Sequence, residues 1–232
     1  MTERLFLDDM RADSATATVL AVPPGGIVLD RIPFYARSGG QPGDTGHLAW
    51  PGAELTIGEA VKGDGDAILH PFDGLPPDPG TSVMAQIDWS RRHALMRMHT
   101  TLHRLCSLLP GAAVTGGQIG AEKSRLDFDL PTPPPREEIE AGLARLIQED
   151  HPVGAEWVDE AVLDARPELV RTLSVKPPRG AGRVRLVRIG AIDLQPCGGT
   201  HVASTAEIGT VRVLKLENKG RQNRRITVAL EG

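Results

Sequence analysis

Short runs of apolar residues separated by turns dominate the first third of the chain. Residues 16–22 read TATVLAV and end at a Pro-Pro-Gly-Gly turn. Further short runs follow at residues 27–35, 47–50, 54–61, 67–72 and 82–88. Several short β-branched and apolar runs with turn residues between them are typical of strands in a small barrel. The pattern therefore predicts a small N-terminal β-barrel over residues 1–88.

The spacing of apolar residues changes to a helical period after Asp88. Asp88 can cap a helix by accepting hydrogen bonds from its first free N–H groups. Beyond it the apolar positions recur every three or four residues, as one buried helix face requires, and they are Leu95, Met98, Leu102, Leu105 and Leu109. The sequence predicts a helix over residues 89–109 that ends at Pro110-Gly111.

The remaining chain mixes helical and strand patterns. Strands are expected at residues 112–119, 126–130, 153–163, 183–189, 191–194, 209–216 and 224–230, and a short helical turn at 165–170. A second helix should begin after the proline-rich residues 131–135, where Glu137 and Glu138 suit the helix dipole. Strands with helices packed against them predict an α+β domain over residues 89–232.

Composition limits the class of protein. The chain has 232 residues, 40% of them hydrophobic, and carries acidic residues near its N-terminus where a signal peptide would be apolar. No run approaches the roughly 18 apolar residues of a membrane span. We therefore expect a cytoplasmic protein with no membrane partner. In a reducing compartment, Cys106 and Cys197 are expected to be thiols or metal ligands rather than a disulfide.

Charge is unevenly distributed. The net charge of −4 excludes a bulk polycation, but residues 171–188 and 212–225 are strongly basic. A locally basic surface on an acidic protein suits a polyanion bound on one side. Charge alone somewhat favours the simpler interpretation, which is a solvated strand face with a basic loop.

Two short motifs have the spacing of metal ligands. His99 and His103 are four residues apart on the predicted helix and therefore share one face. Cys197 and His201 flank the glycine pair of CGGTH. Thiolate and imidazole ligands together favour zinc (Zn²⁺) over magnesium or calcium. Thr100 follows His99 where zinc proteases have glutamate, so protease chemistry is excluded.

These motifs resemble a known family. HTTLH at 99–103 and CGGTHV at 197–202 are similar to the editing domain of alanyl-tRNA synthetases and to the free-standing AlaX proteins, with the threonyl-tRNA synthetase editing domain a more distant relative. SGGQPGDTG at 38–46 resembles the family's glycine motif, RLDFD at 125–129 its Arg-Phe-Asp-Phe strand, and Gln118 its pocket glutamine. The best match is the two-domain type of AlaX, with a translation-protein-like barrel before the editing domain.

The resemblance implies a zinc hydrolase that deacylates mischarged tRNA(Ala), with Ser-tRNA(Ala) as the expected substrate and Gly-tRNA(Ala) as a further one. It implies that His99, His103, Cys197 and His201 bind the metal, and that the candidate catalytic donors are Gln118, Thr101, Gly39 and Gly40. Leu102 stands where synthetase editing domains usually have a pocket threonine, and it should make that wall apolar.

Some alternatives stay open. Four protein ligands bound at once would mark a structural zinc, so either one ligand is loose, the ion accepts a fifth ligand, or it only orients the substrate. A non-catalytic RNA-binding module with a structural zinc, or a zinc hydrolase of another aminoacyl ester, also fits. The acceptor end of tRNA(Ala) is the expected partner, bound through Lys219, Arg221, Arg224 and Arg225; no protein partner is predicted.

Overall fold

The computed structural model describes residues 2–170 and 182–231 of the chain. The chain divides into two compact units, Met1–His93 and Ala94–Gly232. Strands predominate in both units and α-helices are few among the described residues, so the chain belongs to the α+β class as predicted. Arg171, Lys176 and Arg179 of the first basic stretch lie outside the described residues.

Unit 1 is built almost entirely of short strands. They are β1 (Glu3–Arg4), β2 (Ser14–Ala21), β3 (Val28–Leu29), β4 (Arg31–Ile32), β5 (Gly46–Trp50), β6 (Ala53–Ile57), β7 (Val61–Lys62), β8 (Ile68–Leu69) and β9 (Ser82–Ile87). The main sheet has five strands in the order β3-β2-β9-β5-β6. Among the described residues this sheet does not close on itself, so the predicted barrel is unconfirmed.

Alternation along the strands explains where the core of unit 1 lies. In β9, Val83, Ala85 and Ile87 are buried while the residues between them are exposed. Successive side chains of a strand point to opposite faces, so one face of the sheet packs inward and the other meets solvent. The buried face joins one apolar cluster that includes Leu48 and Ile57.

A buried ion pair fixes the glycine-rich loop of unit 1. The side chains of Asp44 and Arg92 are at most 1% exposed, and Nε of Arg92 lies 3.0 and 2.9 Å from the two carboxylate oxygens. Arg92 also donates to the carbonyl oxygens of Met10 and Pro33. The N–H of Tyr35 donates to the same carboxylate. Since each buried charge has several partners, its desolvation is compensated.

The long helix α1 (Trp89–Leu108) begins where the sequence predicts. The carboxylate of Asp88 accepts a hydrogen bond from the N–H of Arg91 at 3.1 Å, which confirms the predicted cap. The predicted apolar stripe is also confirmed, because every member is at most 5% exposed: Leu95, Met98, Leu102, Leu105 and Leu109. Most of α1 belongs to unit 2, where it carries His99 and His103.

Unit 2 contains two antiparallel sheets and three α-helices, α1 among them, within the described residues. Its other elements are β10 (Ala113–Gln118), β11 (Lys123–Asp129), α2 (Arg136–Gln148), β12 (Val153–Asp159), α3 (Glu160–Ala165), β13 (Arg183–Ile189), β14 (Asp193–Pro196), β15 (Thr210–Asn218) and β16 (Asn223–Glu231). The sheet orders are β10-β11-β16-β15 and β12-β13-β14. Helix α2 packs on β15, where Glu140 accepts the N–H of Val213 at 2.8 Å.

The strand predicted over residues 153–163 is too long. It ends at Asp159, and α3 follows directly. Residues 160–165 read EAVLDA, and glutamate, alanine and leucine are among the better helix formers. Leu163 packs against Val184 and Leu186 from this helical turn, so tertiary packing supports the local preference.

Candidate metal centre

Four side chains from two distant segments meet in unit 2. His99 and His103 come from α1, and Cys197 and His201 come from the loop that follows β14. One ligand atom from each residue lies within 4.8 Å of the others. Sγ of Cys197 is 3.6 Å from Nε2 of His99 and 3.3 Å from Nε2 of His201. The three histidines are at most 9% exposed, so the cluster is largely shielded from solvent.

These distances fit a small cation. Zinc binds sulfur at about 2.3 Å and nitrogen at about 2.0–2.1 Å, which places the sulfur–nitrogen edges of a tetrahedral site at about 3.5 Å. The two sulfur–nitrogen distances of the cluster lie on either side of that value. The cluster can therefore bind a metal ion through one thiolate and up to three imidazoles.

Arg185 on β13 holds the loop that carries Cys197. Its guanidinium donates to the carbonyl oxygens of Cys197 at 2.8 Å and Gly199 at 3.1 Å. The N–H of Cys197 in turn donates to the carbonyl oxygen of Arg185. The N–H of Gly199 points to Sγ of Cys197 at 3.4 Å. The sequence shows Arg185 only as part of a basic strand, because its partners lie on another segment.

In two of the histidines, the ring nitrogen that faces away from the cluster contacts a polar residue. Nδ1 of His103 lies 3.2 Å from the carboxylate of Asp193 on β14. Nδ1 of His201 lies 3.2 Å from the hydroxyl of Thr100 on α1. In both rings Nδ1 therefore has a hydrogen-bond partner within the protein, which leaves Nε2 to face the cluster. Sequence reasoning missed both contacts, since no spacing rule links residues so far apart in the chain.

Electrostatics favour the metal-binding form of the thiol. Burial raises the pKa of Cys197, but the imidazoles of His99 and His201 outweigh burial and hold that pKa well below its usual range. Burial, together with the charge of His99, lowers the pKa of His201 to about 3. Thiolate and neutral imidazole are the forms that bind metals, so both residues are suited to cation binding near neutral pH.

His103 behaves differently from His201. Burial acts to lower its pKa, but hydrogen bonds to Asp193 and Cys197 raise it to about 9. The imidazolium form is therefore favoured among the protein groups alone. A cation that binds at Nε2 has to displace a proton from this residue, which makes metal binding a proton-releasing step.

Comparison with known proteins places the chain in a family. The profile described as "Threonyl and Alanyl tRNA synthetase second additional domain" matches residues 184–227, which include Cys197 and His201. The profile "tRNA synthetases class II (A)" matches residues 5–91. The alanyl-tRNA editing protein AlaX-M of Methanosarcina acetivorans is 38% identical over 99% of this chain and 99% of its own length. The chain belongs to the AlaX family of alanyl-tRNA editing proteins.

Other relatives agree with this assignment. AlaX-M of Methanosarcina barkeri is 37% identical over 99% of both chains. The alanine–tRNA ligase of Pyrobaculum arsenaticum is 37% identical over 93% of this chain, which corresponds to 25% of the ligase. The predicted resemblance is thus confirmed. It extends over nearly the full length of this AlaX chain.

The other predicted site residues of this AlaX chain occupy three places. Thr101 and Leu102 lie beside the histidines on α1 and are buried, and the hydroxyl of Thr101 donates to the carbonyl oxygen of Arg97 at 2.8 Å. Gln118 ends β10 and is exposed. Gly39 and Gly40 belong to unit 1, where both have positive φ, 56° and 83°. Their catalytic and pocket roles stay predictions.

The predicted tRNA-binding residues lie on the hairpin β15–β16. Lys219 forms an exposed ion pair with Glu217 at 3.0 Å. Arg224 donates to the carbonyl oxygens of Gly220 and Pro131. Arg221 forms no ion pair with any residue that the structure describes. These contacts leave Arg221 as the cation of the hairpin tip least engaged with the protein.

Arg225 is bound to the neighbouring strand. Its guanidinium makes two parallel hydrogen bonds to Asp127 on β11, at 2.7 and 2.8 Å. The hydrogen bonds from this guanidinium are the main reason why the pKa of Asp127 lies below its usual value. The paired geometry neutralises Arg225 locally, so the residue stabilises the sheet whether or not it also contacts RNA.

None of the helices in the described part of the chain is both long enough and apolar enough to cross a lipid bilayer.

Proposed function

We propose that the chain is a zinc-dependent hydrolase that removes wrongly attached amino acids from tRNA(Ala) in trans. Membership of a family of alanyl-tRNA editing proteins makes it a hydrolase of mischarged tRNA. The observation that carries the proposal is the meeting of His99, His103, Cys197 and His201 in one buried cluster. Residues 1–88 would form a barrel-type domain and residues 89–232 the editing domain.

Zinc is the metal that the ligand chemistry supports best. One soft thiolate with imidazole ligands disfavours magnesium and calcium, which prefer oxygen. A bound zinc ion would supply Lewis-acid polarisation of the ester carbonyl and positioning of water. Elemental analysis of the purified chain, together with a chelator titration, would identify the ion. We expect one zinc per chain.

The reaction is the hydrolysis of the ester between the amino acid and the terminal ribose of tRNA. Water adds to the carbonyl carbon, the ester C–O bond breaks, and the free amino acid and the tRNA hydroxyl are released. Gln118 is the proposed donor to the carbonyl oxygen from unit 2, and Gly39 and Gly40 stay candidate donors that the family resemblance alone suggests. Thr101 would have to exchange its bond to Arg97 for one to the substrate. A donor aimed at a developing oxyanion contributes about 100–1,000-fold in rate.

Selection of serine over alanine depends on the serine hydroxyl. A pocket that hydrogen-bonds this group rejects a substrate without it by large factors, whereas one methylene in an apolar pocket contributes only about 10–200-fold. Leu102 contributes an apolar wall and cannot make that hydrogen bond. A polar side chain such as that of Gln118, the pocket glutamine that the family resemblance implies, would recognise the hydroxyl, so Ser-tRNA(Ala) is the proposed substrate and Gly-tRNA(Ala) a weaker one.

Deacylation assays with Ser-, Gly- and Ala-tRNA(Ala) test this function. We expect release of serine well above the buffer rate, slower release of glycine and no acceleration for alanine. If none of the three esters is hydrolysed faster than in buffer while the chain still binds tRNA and zinc, the RNA-binding module with a structural zinc is the correct assignment.

The hairpin tip gives a prediction for tRNA binding. We expect Arg221→Ala to weaken tRNA binding and to reduce the slope of log affinity against log salt by about one, because each lost phosphate contact removes about one counterion release. Filter binding at several salt concentrations measures both quantities. Arg145→Ala, which removes the same charge from the exposed face of α2 outside the basic stretch, is the matched control. If Arg221→Ala and the unsubstituted chain have equal slopes, Arg221 does not contact the RNA and the contact lies on another surface.

A further inference from the structure

Thr100 lies between the two histidines of α1 but makes its contacts with the other ligand segment. Its side chain is fully buried, and its hydroxyl donates to the carbonyl oxygen of Met96 at 2.9 Å. The same oxygen is 3.3 Å from the N–H of Val202 and 3.2 Å from Nδ1 of His201. A hydroxyl has one proton and two lone pairs. Because the proton goes to Met96, Nδ1 of His201 has to donate.

Asp193 makes the equivalent contact with His103. Its Oδ2 is 3.2 Å from Nδ1 of His103 and accepts the side-chain amide of Gln195 at 2.7 Å. Asp193 is 3% exposed and Gln195 is 6% exposed, so solvent does not compete strongly for these bonds. A carboxylate only accepts hydrogen bonds. Nδ1 of His103 is therefore the donor here as well.

We infer that Thr100 and Asp193 are positioning residues that fix the Nδ1–H tautomers of His201 and His103 and so direct both Nε2 lone pairs into the cluster. A neutral imidazole binds a metal only through its unprotonated nitrogen, and the partner of the other nitrogen decides which one that is. The inference rests on the proposed metal role of the cluster but not on tRNA deacylation. It gives α1 two functions, since the helix supplies two ligands and orients a third through Thr100.

Paired substitutions separate the hydrogen bond from side-chain volume. Thr100→Val and Asp193→Leu keep the approximate shape but remove the acceptor, whereas Thr100→Ser and Asp193→Asn keep an oxygen that can accept from Nδ1. We expect the first pair to bind zinc about 10–100-fold more weakly and the second pair to bind it nearly as tightly as the unsubstituted chain. Competition with a chelator of known affinity measures binding, and circular dichroism confirms that each full-length variant is folded.

Histidine tautomers give a second measurement that a general loss of stability would not change. Long-range ¹H–¹⁵N NMR of the zinc-loaded chains, in which both rings are neutral, should show His201 losing its Nε2-bound, Nδ1–H form in Thr100→Val while His103 keeps it, with the opposite result in Asp193→Leu. Unchanged zinc affinity in Thr100→Val and Asp193→Leu, or equal losses in all four variants, would overturn the inference. If the unsubstituted chain takes up no zinc, the proposed metal role fails and this inference with it. Zinc uptake without deacylation would overturn only the editing function.

Discussion

The Cys197→Ala chain should lose zinc and deacylase activity but keep its fold. Sγ of Cys197 lies 3.6 Å from Nε2 of His99 and 3.3 Å from Nε2 of His201, and it supplies the negative charge of the cluster. Lewis-acid stabilisation by a metal is worth several kcal/mol, so we expect Ser-tRNA(Ala) hydrolysis to fall at least about 100-fold. Metal analysis, single-turnover deacylation and circular dichroism measure the three properties.

The other cysteine provides the control for this prediction. Cys106 is also buried on α1 but is outside the cluster of four. Cys106→Ala should retain zinc and activity and lose only the modest stability that goes with a small buried side chain. Retention of full activity by Cys197→Ala would contradict the metal mechanism. Unfolding of Cys197→Ala on loss of zinc would instead identify a structural site.

Arg92→Met should destabilise unit 1 more than any surface substitution. It leaves the carboxylate of Asp44 buried without its cation, and breaking a buried pair in this way typically costs about 3–5 kcal/mol. Urea unfolding followed by tryptophan fluorescence measures the change, because Trp50 and Trp89 both belong to unit 1.

A second substitution tests the cause of that loss. Arg92→Met combined with Asp44→Asn removes the buried charge but keeps an oxygen for the N–H of Tyr35, so we expect part of the lost stability to return. Glu156→Gln, which breaks the exposed pair with Arg188 on the β12–β13 ladder, should cost less than about 1 kcal/mol. If the double variant is no more stable than Arg92→Met alone, an unpaired charge is not the source of the loss.

Local sequence signals were sufficient to predict helix α1 and the candidate metal ligands. The cap at Asp88 and the stripe from Leu95 to Leu109 depend on neighbours within a few residues, which sequence spacing shows directly. His99 and His103 share a helix face for the same reason. Cys197 and His201 were predicted as the other two metal ligands only because a cysteine and a histidine in one glycine-rich turn form a chemically unusual pair.

Long-range partners could not be read from the sequence. Asp193 is 90 residues from His103, and Thr100 is 101 residues from His201. Arg225 looked like a free cation of a basic hairpin, yet Asp127 on another strand binds it. The predicted barrel depended on pairing between edge strands, which strand patterns alone do not specify. Each of these contacts is set by the fold rather than by neighbours in the chain.

The hydrogen bonds by which Arg185 holds the Cys197 loop also affect how the thermal stabilities of different protein preparations should be compared. Because both hydrogen bonds from Arg185 form within the protein, the loop loses its conformational entropy when the chain folds and not when a metal ion binds. A metal that binds such a preorganised site stabilises the native state by mass action, by about 4.1 kcal/mol at a free concentration 1,000 times its dissociation constant. The thermal midpoint of this chain should therefore rise with free metal concentration, and midpoints are comparable only at the same buffered value.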